Sequence, residues 1–240
     1  FNWKQAAVNV TASGLETRIQ NAGPEQVINL LDSRIRNAEK TMANNISEGI
    51  YSDGTGSGGK QIGGLQSIVA DAGTGTVGGI NSTTFSFWQN VTSGDVAAIS
   101  VSSDALLDEM QDMWLETMRG NDKCDLIVAD QTFYKRFWDN LQDIQRITTA
   151  SEGVAGFQTL KFVTADVVMD GGPSIKNSGI PALHMYFLNT DYLHFRVHSD
   201  TNFVPFEQKA PVNQDALVVP ILFAGNLTCS NRSLQGVVYT

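Results

Sequence analysis

Gly54, Gly59 and Lys60 come closest to a chemical motif in this chain of 240 residues. The run "SDGTGSGGKQIGG" fits the G-x-x-x-x-G-K spacing of a phosphate-binding loop, in which backbone amides cradle phosphates and the lysine neutralises them. Gln61 stands where that pattern needs Ser or Thr, and an amide is a poor replacement for the small hydroxyl that ligates magnesium. The context is also reversed. A phosphate loop follows a strand and opens a helix, whereas here a helix-patterned stretch precedes the run. "QIGGLQSIV" after it carries two glycines and β-branched residues that oppose immediate helix formation. Asp130, closing the apolar run "CDLIVAD", resembles the magnesium-binding acid that accompanies such loops. A buried strand whose final Asp caps the next helix, "QTFYKRFWDNL", uses the same residues, and this is the reading preferred.

Other candidates are weaker. His194 and His198 in "HFRVH" share one face of a strand but lack a Cys or carboxylate at ligand spacing. Asp170 and Glu152 could act as an acid and base pair, yet nothing in the sequence brings them together. Cys124 and Cys229 are too far apart in sequence for a zinc motif and too few for a disulfide framework. They read as reduced, buried, small apolar residues. No G-x-S-x-G and no thiolate motif is present. The glycosylation patterns at Asn9, Asn45, Asn81, Asn90 and Asn226 follow no signal peptide and read as chance matches. No catalytic, cofactor-binding or metal-binding residue is assigned, and no enzyme activity is expected.

The elements that would position these residues change character along the chain. "WKQAAVNVTA", residues 3 to 12, alternates as a strand, and "LETRIQNA" gives a helical turn or two. Gly23-Pro24 then starts a long helix over 24 to 50. Ile28, Leu31, Ile35, Ala38, Met42, Ile46 and Gly49 form its apolar stripe, along a rod approaching 40 Å at about 1.5 Å per residue. The glycine-rich run after it reads as a flexible exit whose glycines tolerate positive φ. Short strands are expected at 65 to 69 and 83 to 91. Phe85, Phe87 and Trp88 in the second suit a neighbouring subunit as well as a core. From about 102 the spacing predicts a helix to Gly120, a strand at 124 to 129 and a helix over 131 to 144. Strands follow at 157 to 168, 183 to 188, 191 to 198 and, in pieces, 216 to 240. Helices first and strands later indicate an α+β class.

Composition bounds the rest. A formal net charge of -9 argues against a surface that binds DNA by neutralising phosphates. No apolar run approaches the roughly 20 residues of a membrane-spanning helix, so a soluble protein is expected. The length suits one large domain or two modest ones. The first residue is Phe1, not Met, which suggests a processed or trimmed chain.

"GIYSDGTGSGGKQIGGLQSIVAD" after the long helix, followed by "GGINSTTFSFWQN", resembles major capsid proteins of tailed bacteriophages and prophages with the HK97 fold. "LLDEMQDMWLETMRGNDKCDLIVADQTFYKRFWDNLQDIQR" is similar to that family's axial-domain helix, strand and helix, and "GFQTLKFVTADVV" to the segment after it. The resemblance spans nearly the whole chain. It implies a peripheral domain over 1–100 containing the spine helix, and an axial domain over 101–240 with a central mixed sheet flanked by helices and a late strand returning to the peripheral domain. It further implies a structural subunit that self-assembles into hexamers and pentamers of an icosahedral shell around double-stranded DNA, without sequence-specific binding. Scaffolding and portal proteins would be further partners, and no membrane would be involved. The subunit would be made in the bacterial host cytoplasm and end in the virion. The family's N-terminal arm and extended loop would lie upstream of Phe1. An encapsulin-like protein compartment is the alternative within this fold, and a nucleotide-binding enzyme using Lys60 and Asp130 is the alternative outside it.

Overall fold

The computed structural model describes residues 1–16, 24–94, 103–144, 160–170, 179–207 and 214–240. Most of the stretch expected as a helical turn at 15 to 22, the first part of the strand expected from 157, Glu152 and the side chains of Ile28 and Leu31 lie outside them.

A three-stranded antiparallel sheet carries the long helix. β1 (Lys4–Ser13) pairs with β10 (Ala216–Cys229), which pairs with β9 (Leu193–Pro205). The alternation of β1 works as read: Val10 and Ala12 are buried while Asn9 and Thr11 face outward. Helix α1 spans Pro24–Ile50, opening on a proline whose missing N–H costs nothing in the first turn. Its described stripe packs on the sheet. Met42 and Ile46 are buried against Val10, Val219, Ile221 and Phe223, with Ile35 and Ala38 beside them. Gly49 lies under Ile62, where an added Cβ would sit 3.6 Å from that side chain. Beyond β1, Ser13 and Glu16 bond reciprocally between backbone amide and side chain, and Arg34 of α1 grips both Glu16 oxygens at 3.0 and 2.8 Å and the Thr11 carbonyl at 2.7 Å.

The second sheet has six strands in the order β4-β11-β8-β5-β7-β6. These are β4 (Val91–Gly94), β5 (Leu126–Ala129), β6 (Leu160–Phe162), β7 (Ala165–Met169), β8 (His184–Leu188) and β11 (Gly236–Tyr239). It is mixed: β4–β11 and β5–β7 are parallel, whereas β11–β8, β5–β8 and β6–β7 are antiparallel. Helices α4 (Ser103–Glu116) and α5 (Gln131–Ile144) cover one face. Leu106, Met110 and Met113 step by four and three residues, Phe133 and Phe137 by four, and all are buried on Ile127, Ala129, Met185, Phe187 and Val238. The opposite face holds Val128, Tyr186, Leu188 and Val237, packed against Tyr51, Leu65, Ile68, Val69 and Val77. With both faces covered, the middle strands read as continuous apolar runs.

Two expected strands are different elements. Residues 65 to 69 form a single helical turn, α3 (Leu65–Ile68), because Leu65 and Ile68 must point to one side, into the sheet. Residues 83 to 91 are a tight loop with one 3-10 turn at Ser86–Trp88, and strand pairing begins only at Val91. Between α3 and that loop lies the small hairpin β2 (Thr76–Val77) and β3 (Ile80–Asn81). The strand expected over 157 to 168 is a hairpin, β6 and β7, turning at Val163 with φ of +54°. Strand β10 belongs to both packing units: Val219, Ile221 and Phe223 face α1, while Leu227 and Cys229 join the core beneath Tyr186.

Candidate functional site

The glycine-rich run closes on itself. Gly54, Gly58 and Gly59 have φ of +75°, +66° and +78°, as the sequence led one to expect, and Ser57 adopts +54°. A single turn, α2 (Gly56–Gly59), sits at the tip. Several amides of the run and its exit are engaged within the chain: Gly59 donates to Thr55 at 3.1 Å, Gln61 to Gly56 at 3.3 Å and Gly64 to Ser52 at 3.0 Å. Gly63 donates to Asn226 Oδ1 at 3.0 Å, and the Ser52 hydroxyl to the Ile62 carbonyl at 2.5 Å. Lys4 donates to the Gly59 carbonyl. The run is therefore a tied loop, a correction to the reading of it as a flexible exit. Gly64 is required by close approach, since a Cβ there would sit 2.3 Å from the Ile50 carbonyl oxygen.

Lys60 is exposed at the tip. Asp130 is buried; its Oδ1 accepts from the Phe133 amide at 2.9 Å and its Oδ2 from the Leu183 amide at 3.0 Å. One oxygen caps α5 and the other ties down the turn before β8, so the capping role is the one observed.

His194 and His198 are both exposed on β9, where His198 meets Trp3 edge-on at 5.5 Å and its Nδ1 accepts from the Asp200 amide at 3.2 Å. Among the described residues no group of three or more His, Cys, Asp or Glu side chains is placed to hold a metal ion. Cys124 and Cys229 are free and buried, and burial pushes their thiols up to about 12 and about 11. Asp170 accepts from the Tyr51 hydroxyl at 2.5 Å; burial first, then this partner, raises the Tyr51 phenol. Among the glycosylation matches, Asn90 and Asn226 are buried and hydrogen-bonded. Asn9, Asn45 and Asn81 are exposed. A shallow cleft of about 380 Å³ opens between Phe1, Asp53, Gly63, the β2–β3 hairpin and Asn226. Asn226 accepts from Gly63 and Leu227 and donates to the Asn2 carbonyl, so it offers no free group for proton transfer.

What the geometry builds is a set of polar staples that tie loops, among them parts of the 68–90 segment, to the six-stranded sheet. Arg232 is fully buried. Its Nε donates to the Ile68 carbonyl at 2.5 Å, Nη1 to Trp88 at 3.4 Å and Nη2 to Thr74 at 3.3 Å. Desolvation lowers its affinity for the proton. Gln235 and Asn189 exchange backbone and side-chain bonds at 3.0 and 3.2 Å. His184 spans the Ala182 carbonyl at 2.8 Å and Asp71 at 3.2 Å. These staples were not singled out from the sequence. Arg232 joins residues 144 to 164 positions away, and an arginine in "NRSLQGVVY" looks like any surface cation.

No family model matches the chain. No curated protein matches it either. Solved structures do match over nearly its full length. The Cyanophage A-1(L) capsid protein aligns with a TM-score of 0.67 at 16% identity, covering 98% of this chain and 77% of that one. The SrpI encapsulin of Synechococcus elongatus PCC 7942 aligns at 0.63 with 8% identity, covering 99% and 73%. The capsid protein of Myoviridae phage XM1 aligns at 0.60 with 14% identity, covering 99% and 73%. The fold is thus the α+β HK97-like capsid fold. Among the described residues no helix is long and apolar enough to cross a membrane.

Proposed function

We propose that this chain is the structural subunit of a phage or prophage capsid, a shell built from many copies of itself as pentamers and hexamers around double-stranded DNA. The observation that carries the reading is the match of the fold to capsid proteins over 98–99% of this chain and 73–77% of theirs. The interior chemistry agrees. Asp130 and Asn226, the best-placed polar groups, are fully engaged in holding loops, as suits a wall and not a reaction site. In this reading the three-stranded unit with α1 is the peripheral lobe and the six-stranded unit the axial lobe, with β10 returning from one to the other. The acidic balance of the chain lets packaged DNA slide along the wall without being gripped. Non-enzymatic function, the virion as destination, and scaffolding and portal proteins as accessory partners belong to the same proposal.

The match to an encapsulin favours a second reading, a protein compartment with enzyme cargo. Expressing the full-length gene product and purifying particles tests both. DNA-filled or DNA-competent shells support the capsid, shells that co-purify with a cargo enzyme support the compartment, and a chain that stays monomeric under every assembly condition contradicts both.

A further inference from the structure

The segment from Ala72 to Gly94 contains no Asp, Glu, Lys or Arg. At the chain's average of 17% charged residues, about four would be expected there by simple proportion. Within it, Phe85 and Phe87 stand out to solvent at 49% and 63% exposure, their rings 5.9 Å apart. The neighbouring aromatic, Trp88, does the opposite. It is buried, and its Nε1 donates to the Val77 carbonyl at 3.0 Å.

The loop that presents the two rings is rigidly built. Ser82 bonds Gly75 through both amide and hydroxyl at 3.1 Å, the Thr83 amide donates to Asn81 Oδ1 at 2.9 Å and the Phe85 amide to the Asn81 carbonyl at 3.0 Å. Gln89 returns to the Ser82 carbonyl at 3.2 Å. Arg232 holds the loop's base through the carbonyls of Thr74 and Trp88. Two apolar rings on a pre-organised, neutral loop are costly to leave in water and cost little further ordering when covered.

Several of the other exposed apolar side chains have charged neighbours in sequence. Leu115 and Met118 have Asp112, Glu116 and Arg119 as near neighbours in sequence, Val163 is close to Lys161 and Asp166, and Phe195 and Val197 flank Arg196. Copies of a chain with net charge -9 repel one another, and they approach most readily through surfaces that carry no charge. We propose that the Ser82–Gln89 loop is a contact between copies of this chain, with Phe85 and Phe87 as the anchors buried against the neighbour. The inference rests on the shell-subunit reading and adds to it the residues that carry one contact.

The test uses the full-length chain carrying Phe85→Ser with Phe87→Ser, compared with Leu115→Ser with Met118→Ser, and followed by sedimentation velocity and electron microscopy across concentration. Both variants change exposed residues, so both should melt within a degree or two of the parent. Assembly of the Phe variant should need at least a tenfold higher concentration, with the Leu115/Met118 variant near the parent. A third variant, Phe87→Lys alone, should show the same defect and keeps the test valid if the double change disturbs the loop. Assembly of the Phe variants at the parent's concentration overturns the inference and leaves the shell reading intact. Unchanged assembly with loss of a co-expressed accessory protein assigns the loop to that partner and also overturns it. A parent chain that never assembles removes the shell reading, and this inference with it.

Discussion

Arg232→Met should destabilise the isolated subunit by about 2–4 kcal/mol. The guanidinium is fully buried and donates to three backbone carbonyls, those of Ile68, Thr74 and Trp88. The bond to Ile68 is short at 2.5 Å, while the other two, at 3.3 and 3.4 Å, are near the outer limit for a useful bond. A charged donor contributes roughly 1.5–3 kcal/mol net, and each carbonyl stranded without a partner costs about 1–3 kcal/mol. Methionine matches the length and relieves the cost of burying a cation, which offsets part of the loss. For a chain of this size each kcal/mol moves the melting temperature by about 2–4 °C, so a fall of roughly 4–16 °C is expected. Equilibrium urea unfolding of the parent, Arg232→Met and Arg232→Lys measures it, and limited proteolysis should cut the variant first within 69–90. A loss below about 0.5 kcal/mol for Arg232→Met, with unchanged proteolysis, would refute the argument that this side chain holds the segment on the sheet.

Gly64→Ala places a methyl 2.3 Å from the Ile50 oxygen and 2.5 Å from the Ser52 nitrogen. It should cost about 2–3 kcal/mol in chemical unfolding, as a backbone clash cannot be relieved by a rotamer change. Gly58→Ala, with open space but a φ of +66°, should cost only about 1 kcal/mol. Glu16 is held well below the usual carboxylate range, at about 2, first by the Arg34 side chain and then by the Ser13 amide. Because its folded value is depressed, the stability it adds is present above about pH 4.5 and is lost as the pH falls toward 2. Glu16→Gln should therefore be less stable than the parent at pH 6 and indistinguishable from it near pH 2, as read by urea titrations at both values. Cys124 and Cys229, buried with thiols raised to about 12 and about 11, should resist alkylation in the native chain and react fully only in denaturant, as mass spectrometry would count.

Elements carried by local pattern were legible in the sequence. The described part of the stripe along α1, from Ile35 to Gly49, the helix over 131 to 144 and the alternation of β1 each follow from local pattern, and the Asp130 cap follows from an acid placed just before a helix. The stretches 65 to 69 and 83 to 91 read as strands because β-branched and aromatic residues favour strands locally. In the folded chain Leu65, Ile68, Val69, Val77 and Trp88 instead point inward from turns and loops to fill one face of a sheet formed largely by later residues. The staples were hidden for the same reason. Arg232 with Ile68, Asn226 with Gly63 and Tyr51 with Asp170 meet across more than a hundred residues, and no spacing rule reaches that far. The phosphate-loop likeness at Gly54, Gly59 and Lys60 fails the context test in sequence, and in the structure the amides of Gly59, Gln61, Gly63 and Gly64 bond within the chain.

Cryo-electron microscopy of particles formed by the full-length chain tests the central claim most directly. The account predicts closed shells in which five or six copies meet around each axis through the six-stranded units, with α1 and the three-stranded sheets at the periphery of each ring. A preparation holding only single chains under all assembly conditions, or rings joined through the three-stranded sheets at their centre, would contradict it.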